Sequence, residues 1–422
     1  MGFEPTTLGT TIRYSNQLSY IYHQVEAAKV RNFLKKVTIL KKNNKKYENL
    51  SPSRIAWQKF RKNKTGVISL CFIILCALIA VFAYIIVPDT TPYANMQILE
   101  ISTQKPGFEC DFLQVRKNTT VEKPSFISRL WGGQPSPYRS IPFDSLEISK
   151  EKTTVFIFNP EHAGESFTEE IPNKNLYNDL TFNSNEEAET YISANCVIHR
   201  KFILGTDQFG RDFFSRLILG TRISFSVGFI AVILSVLIGL LIGGLAGFFR
   251  GWVDDVLMWF VNVVWSLPTL LVVIAITFAL GKGIVQVFIA VGLTMWVEVA
   301  RITRGQIMSI RETTYVEAGR ALGFGNARII IRHIIPNVIN PIIVVSAANF
   351  ASAILLEAGL SFLGIGVQPP MPSWGGMIKE NYAYIILDNA YLAILPGLAI
   401  MLLVLAFMLT GNALRDALDV KK

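Results

Sequence analysis

Charged residues are scarce in this 422-residue sequence. Asp, Glu, Lys and Arg together make up 17% of it, whereas 51% of the residues are hydrophobic. A soluble globular chain is about one quarter charged. The uncharged residues also fall in long blocks, and this excludes an ordinary soluble domain and indicates transmembrane helices.

Motifs for nucleotide or metal chemistry are missing. No G-x-x-x-x-G-K-[ST] segment occurs, which argues against ATP binding through a P-loop. No H-E-x-x-H segment and no close group of Cys and His residues occurs either. The four histidines are far apart in the sequence: His23, His162, His199 and His333. We therefore predict no catalytic residue, no metal site and no cofactor, and interpret the chain as not an enzyme.

Cysteine is also rare, with four residues. Cys71 and Cys76 lie in an apolar block, where we expect them to pack against neighbouring side chains. Cys110 and Cys196 lie in one long polar segment. A disulfide between them requires an oxidising compartment, and the sequence leaves the pairing open.

Basic residues are concentrated beside the apolar blocks. Residues 28–64 carry 13 Lys or Arg against one acid, Glu48, and the uncharged block Thr65–Val87 follows directly. A helix of this length crosses roughly 30 Å of hydrocarbon. Its basic flank predicts a cytoplasmic N-terminus. The same clustering explains the net charge of +9 without nucleic acid as a partner.

The composition predicts four regions. Residues 1–64 form a basic cytoplasmic segment, of which 1–50 have no signal-peptide core and are expected to be poorly ordered. Residues 65–87 are the first transmembrane helix. Residues 88–205 alternate β-prone runs such as TTVFIFNP with turn residues, which predicts an extracytoplasmic insert containing some β-strand. Residues 206–422 are a membrane core with five further spans.

The five further spans are predicted at 223–249, 256–280, 284–300, 338–363 and 391–410. The link 301–337 holds six arginines, whereas the two short loops on the other side hold one lysine each, so both termini are expected in the cytoplasm. The fold class is thus an all-α polytopic membrane protein with six transmembrane helices and an inserted domain. Residues 203–222 mix Phe and Leu with Asp and Arg, which predicts an amphipathic helix at the outer membrane boundary.

Three glycines recur every four positions in IGLLIGGLAG: Gly239, Gly243 and Gly247. This spacing either lets a partner helix approach closely or reflects the ordinary glycine content of membrane helices. The sequence does not separate these alternatives.

Several charged residues lie beside or within the predicted spans. Asp254 and Asp255 are interpreted as a solvated turn, and Glu298 and Arg301 as a local ion pair or as exposed at the interface. A carboxylate in lipid costs about 2.5–3.5 kcal/mol, so Glu357 should face protein or a cavity. It is a candidate for the lining of a translocation path, or for satisfying backbone groups at a helix break near Gly359.

A polar segment, YVEAGRALGFGNARIIIRHIIPN, separates two apolar spans. It predicts a helix over Tyr315–Leu322, a break at the glycines, a second helix over Asn326–Ile335 and a bend at Pro336. Such a helix has no core of its own, so it either docks on a partner or is a surface loop that binds nothing. Small residues would permit close docking: Ala318, Gly319 and Ala321.

The run from Glu317 to Gly323 resembles the E-A-A-x-x-x-G loop in membrane subunits of binding-protein-dependent ABC importers, with Gly319 in place of the second alanine. His333 and Ile335 also depart from the general pattern. The ending RHIIPN is similar to the dipeptide and oligopeptide permease branch. Three more segments resemble its C-type component: RIAWQKFRKNKTG, ILGTDQFGRDFFSRLILGTRISFSVG and ILLEAGLSFLGIGVQPPMPSWGGMI. The resemblance covers residues 54–87 and 203–415.

The resemblance implies a permease subunit of an ATP-driven peptide importer in the bacterial inner membrane. Its implied partners are a second permease subunit, two ATP-binding ATPase subunits, an extracytoplasmic peptide-binding protein, the peptide and membrane lipid. The implied ATPase-coupling residues are Glu317, Ala318, Gly319, Ala321, Gly323 and Pro336, with Glu357 as the translocation-path candidate. The alternatives are an ion-coupled secondary transporter or channel, and a membrane-anchored external domain. The cargo (dipeptide, oligopeptide, nickel complex or other) is not specified.

Overall fold

The computed structural model describes residues 52–117, 125–160, 167–176, 182–281 and 283–419. The expectation for residues 1–50 lies outside these ranges. The chain divides into two compact units, residues 1–62 and 63–422. The described part of the first unit is helix α1, Pro52–Lys62, whose last turn is basic.

The first membrane helix is α2, Lys64–Ile86. The side chain of Asn63 accepts a hydrogen bond from the Gly66 N–H at 3.1 Å, which caps the N-terminus of the helix. The helix ends just before Pro88. The limits of this helix agree with the predicted 65–87 to within one residue at each end, because an uncharged run with a polar cap has clear boundaries.

The insert is built on a five-stranded antiparallel sheet with the order β4-β3-β2-β1-β5. Its strands are β1 Phe108–Arg116, β2 Tyr138–Ile148, β3 Lys152–Ile157, β4 Thr168–Pro172 and β5 Val197–Phe202. Two helices accompany the sheet: α3 Phe126–Gly132 and α4 Asn185–Asn195. Leu113 and Ile141 pack with Ile192 of α4, and Phe112 packs with Phe202 in a separate cluster. The predicted insert with β-strand is confirmed.

Cys110 and Cys196 are both buried and both free thiols. Cys110 is opposite Arg200 in the β1–β5 pairing, whereas the Cys196 carbonyl accepts from the Gln114 N–H at 2.8 Å. Cys196 is thus at the level of Gln114, four positions along β1 from Cys110. Four strand positions span about 13 Å, which is about twice the Cα–Cα distance across a disulfide. The pairing left open by the sequence is therefore absent.

The membrane core comprises ten named α-helices and one π-helical turn in the described residues. They are α5 Phe213–Phe249, α6 Trp252–Ser266, α7 Thr269–Leu280, α8 Ile284–Gly292, α9 Trp296–Arg311, α10 Thr314–Ala321, α11 Asn326–Ile329, the π-turn Ile330–Ile334, α12 Ile335–Phe362 and α13 Trp374–Asn381. The last helix of the chain is α14, Tyr391–Leu418. By length and composition, the described part has five helices able to cross a membrane, or six if the bent pair α6 and α7 is one span.

Two predicted spans differ from the structure. The span 256–280 is broken between α6 and α7 with a bend of 94°, because Pro268 has no N–H to continue the helix. The span 284–300 is interrupted after Gly292, and α9 then continues to Arg311. Residues 301–311 of the predicted link are therefore helical.

The amphipathic helix predicted over 203–222 is wrong. Residues 203–212 form turns and one isolated bridge between Thr206 and Asp212, and α5 begins at Phe213. Four charged residues of this segment are buried instead of exposed at a membrane surface: Asp207, Arg211, Asp212 and Arg216. These charged residues lie among apolar ones because they pair with residues elsewhere in the chain, as described below.

The glycine repeat in α5 has its partner helix within this chain. A Cβ atom at Gly239 would lie 2.5 Å from the Val299 Cβ, and one at Gly247 would lie 2.8 Å from the Arg304 carbonyl oxygen. A Cβ atom at Gly243 would overlap the Ala300 carbonyl. The absence of side chains thus allows α5 and α9 to pack backbone against backbone.

Two other charged pairs differ in part from expectation. Asp254 is buried, and its carboxylate accepts two hydrogen bonds at 2.6 Å from Arg304, so it is not in a solvated turn. Glu298 is exposed, in agreement with the interfacial alternative. The Arg301 guanidinium lies 4.1 Å from the centre of the Trp265 ring instead of pairing with Glu298.

Candidate coupling site

Helix α10 is a short helix that rests on the membrane core through one side. Val316 is 1% exposed and joins a buried cluster with Ile307, Ile329 and Ile334. Gly319 is buried too, and a Cβ atom there would lie 3.4 Å from the Phe324 ring. Three predicted coupling residues face outward on the helix or at its end: Glu317, Ala318 and Ala321. Gly319, also predicted to dock, instead faces the core.

The end of α10 is a Schellman motif. The Gly323 N–H donates to the Arg320 carbonyl at 2.9 Å, and the Phe324 N–H donates to the Gly319 carbonyl at 3.0 Å. Gly323 has φ +76°, in the region that favours glycine. The glycine of the E-A-G-x-x-x-G run therefore ends the helix and turns the chain.

Replacing Gly323 with alanine is expected to lower the free energy of opening α10 by about 1 kcal/mol. The α10 amides should then exchange about fivefold faster. The cause is the positive φ alone, because nothing lies within 4 Å of the added Cβ atom. Hydrogen exchange of the α10 amides measures the effect. Gly325→Ala is the matched control. Gly325 has φ −66°, and a Cβ atom added there would also have nothing within 4 Å. Equal exchange in the two variants would contradict the cap assignment.

Aromatic stacking and basic residues shape the rest of the link. The Arg328 guanidinium lies 4.2 Å from the centre of the Phe324 ring, and His333 stacks on the same ring at 6.0 Å. Arg250 donates a 2.5 Å hydrogen bond to Glu312, which holds the pKa of that exposed carboxyl below its usual range. The link before α10 and the turn after it are thus tied down by side chains.

Pro336 lies in the first turn of α12, directly after the π-turn, and is exposed. The helical stretch from Asn326 to Phe362 is continuous. The second helix predicted over 326–335 is confirmed, whereas the predicted bend at Pro336 is instead a π-helical turn running into α12. Motion of the link is thereby connected to the membrane helix without an intervening loop.

Large apolar side chains are exposed on α10, directly after it and in the π-turn. Tyr315 is 45% exposed, Leu322 73% and Ile331 66%. Exposed apolar residues beside a charged one are typical of protein-interaction surfaces. The exposed side of α10 thus has the composition of such a surface.

A second feature, missed by the sequence analysis, is a buried ion-pair cluster of Asp207, Arg211, Arg216 and Glu380. Arg211 lies 2.6 Å from Asp207 and 2.6 Å from Glu380. Arg216 lies 3.6 Å from Asp207 and 3.7 Å from Glu380. Both arginine side chains are only 2% exposed. The cluster joins the turn before α5 to α13.

The turn that carries Asp207 is specified locally as well. Asp207 accepts from the backbone N–H groups of Phe209 at 2.9 Å and Arg211 at 3.0 Å. Gly210 has φ +67°, and a Cβ atom there would overlap the Ile98 carbonyl. The only signal in the sequence was the spacing of Asp207 and Arg211, which also suits an exposed helix face.

Glu357 is fully buried within this chain. One carboxylate oxygen accepts from the Ser361 hydroxyl at 2.6 Å, and that hydroxyl accepts from the Val367 N–H at 3.1 Å. The other oxygen has no hydrogen-bond partner among the described residues. α12 runs past Gly359 to Phe362, so no break lies at Gly359. Glu357 therefore orients the Ser361 hydroxyl, which binds the Val367 N–H beyond the end of α12.

A cleft of about 750 Å³ lies between α9, α12 and α14. Its polar lining includes Glu298, Gln306, Asn340, Asn412 and Arg415. This group could not be recognised from the sequence, because its members come from three separate helices. The lining of the cleft therefore offers amide groups and charges of both signs.

The helices able to cross a membrane, the exposed α10 and the polar cleft define a multi-pass membrane transport component. Residues 235–421 match the family of binding-protein-dependent transport system inner membrane components, and residues 51–106 match the N-terminal TM domain of oligopeptide transport permease C. The chain belongs to this family of importer permeases, which confirms the predicted resemblance and the C-type assignment.

Two relatives illustrate the similarity. The glutathione transport system permease protein GsiD of Pectobacterium atrosepticum is 41% identical over 218 residues, 52% of this chain and 72% of that protein. GsiD of Escherichia coli O157:H7 is 41% identical over 217 residues, 51% and 71% of the two chains. Among solved structures, a chain of an inward-facing MetNI methionine ABC transporter matches with a TM-score of 0.41 and 17% identity, over 48% of this chain and 97% of that chain.

Proposed function

We propose that this chain is the permease subunit of an ATP-driven importer of dipeptides or oligopeptides in a bacterial inner membrane. With a second permease subunit it forms the translocation pathway, and it couples to two ATPase subunits through Glu317–Gly323. The observation that carries the proposal is α10, a capped helix with Glu317, Ala318 and Ala321 exposed on a link that continues into a membrane helix. The matched families and relatives support peptide cargo.

The packing under α10 supports its role as a lever. Val316 of α10, Ile307 of α9 and Ile334 of the π-turn share one buried cluster. A force on α10 therefore reaches α9 by direct packing and α12 through the continuous helical stretch from Asn326. Closure of ATPase subunits beneath α10 would rock these helices as rigid elements.

We place the polar cleft on the pathway, together with Glu357 as the earlier candidate. Glu357 is enclosed here, but Ser361, its hydrogen-bond donor, lines a cavity of about 150 Å³ with Arg216 and Glu380. Exposure of Glu357 to cargo requires α12 and α13 to separate. Full import by a folded Glu357→Gln variant would remove this residue from the pathway.

We infer the following membrane orientation. Residues 1–64 and the coupling loop 301–337 face the cytoplasm with both termini, and residues 88–205 face outward, where they meet the peptide-binding protein. The support is the excess of arginine in the link and of Lys and Arg before α2. Cleavage of the insert by protease added to intact inner-membrane vesicles of inverted orientation would contradict it.

Purification of the tagged chain in mild detergent tests the proposed function. We expect a second permease subunit and one or two P-loop ATPases as companions, identified by mass, and peptide uptake that depends on ATP after reconstitution. Recovery of the chain alone, with uptake driven by an ion gradient, would overturn the proposal and favour an ion-coupled secondary transporter.

A further inference from the structure

Helix α3 of the insert leaves three large apolar side chains uncovered. Phe126 is 75% exposed, Ile127 69% and Trp131 58%, and no residue of the helix is buried. A helix of seven residues is not stable in water by itself. Contacts with other parts of the structure must therefore stabilise its helical conformation. Its exposed apolar side chains also require a non-aqueous environment.

Arg222 of α5 holds α3 against α2. Its guanidinium donates to the carbonyls of Ala80 and Val81 in α2 at 2.8 and 3.0 Å. It also donates to the carbonyls of Trp131 and Leu130 in α3 at 2.9 and 3.2 Å. One side chain thus joins the backbones of two helices that are far apart in the sequence.

Both sets of carbonyls are available for a physical reason. Phe82 has non-helical angles, φ −95° and ψ 18°, so α2 is kinked directly after the Ala80 and Val81 carbonyls. The last carbonyls of any helix, such as those of Leu130 and Trp131 in α3, lack an intrahelical donor. The Arg222 guanidinium also lies 5.1 Å from the centres of the Tyr84 and Trp131 rings. A basic side chain between two aromatic rings is typical of the membrane–water boundary.

The C-terminal end of α3 is joined by Arg222 to the last turns of α2, whose outer side chains are apolar and exposed. Phe82, Ile85 and Ile86, in the last turns of α2, are 44%, 65% and 44% exposed. Arg222 joins the last carbonyls of α3 to those of Ala80 and Val81, and a Cβ atom at Gly133, directly after α3, would lie 2.8 Å from the Tyr84 ring, so the end of α3 lies beside the last two turns of α2. Because α2 crosses the hydrocarbon, α3 lies at the depth where headgroups meet acyl chains.

We propose that α3 is an interfacial membrane anchor. Phe126, Ile127 and Trp131 insert at the boundary between headgroups and acyl chains, and Arg222 keeps its charge among the polar groups there. The anchor ties the insert to the bilayer on its own side. The proposal depends on α2 as a membrane span and is independent of cargo, partners and orientation.

Tryptophan quenching in proteoliposomes of the full chain tests the anchor. The difference between wild type and Trp131→Phe isolates the emission of Trp131. We expect quenching by phospholipids brominated near the top of the acyl chains, and iodide quenching roughly threefold or more weaker than at an aqueous position. The Phe substitution keeps an aromatic ring beside Arg222 and leaves the backbone carbonyl in place.

Phe167 provides the matched position for the control. It lies beside β4, in the same insert, and is 65% exposed. A tryptophan moved there, in the variant Trp131→Phe with Phe167→Trp, should be quenched by iodide and unaffected by brominated lipid. Trp131 emission that follows iodide would overturn the anchor, and so would emission protected from both quenchers, which would indicate a protein partner on α3.

Discussion

Replacing Arg211 with methionine is expected to lower the free energy of unfolding by about 3–5 kcal/mol. Arg211 bonds both Asp207 and Glu380 at 2.6 Å. Its removal leaves Asp207, whose side chain is 2% exposed, with Arg216 at 3.6 Å as its nearest cation in the cluster. Loss of one member of a buried network costs more than the pair itself contributes, because an uncompensated charge stays buried.

Denaturant unfolding of the purified chain in detergent measures this loss. Arg139→Met is the matched control, because Arg139 forms an exposed ion pair with Glu169 at 3.1 Å with its side chain 55% exposed. That substitution should cost less than about 1 kcal/mol. Adding Glu380→Gln to Arg211→Met should recover part of the stability. Equal losses for Arg211→Met and Arg139→Met would show that the cluster does not stabilise the fold.

Reversing the charge of Glu317 with lysine is expected to reduce ATP-driven import by about tenfold or more, the range for losing a charged group at an interface. This prediction follows from the proposed coupling function. Glu317 is exposed, so the core of the chain is unaffected, and the loss of an acidic group in the first turn of α10 costs only about 0.3–1 kcal/mol. The effect should therefore lie in coupling and not in folding.

Import by the reconstituted complex, with the amount of ATPase that co-purifies, measures this effect. Glu189→Lys makes the same charge reversal on an exposed position of α4 in the insert, and should leave the amount of co-purifying ATPase unchanged. A Glu317→Lys complex with normal import and normal ATPase content would separate α10 from coupling. The family membership of the chain would stand in that case.

Features that follow from local sequence were largely predictable. The uncharged run of α2 gave its limits to one residue, and β-prone runs between turns indicated a strand-containing insert. The glycines near position 323 marked the end of α10, because a positive φ there depends on residue type alone. The four-residue glycine repeat left close approach of a helix as one of two alternatives, and it did not identify the partner, α9, which lies about 60 positions along the chain.

Only the tertiary structure decided which charged residues are buried and with which residues they pair. Asp207, Arg211 and Asp254 read as surface residues in the sequence, yet all three are buried. Arg211 donates a hydrogen bond to Glu380, which is 169 positions away in the sequence. Arg304 donates to Asp254, which is 50 positions away. Periodicity along one helix reports which residues share a face, whereas burial of a charge depends on an opposite charge brought by another helix. That partner is set by packing, and the sequence by itself determined the helices but not their pairings.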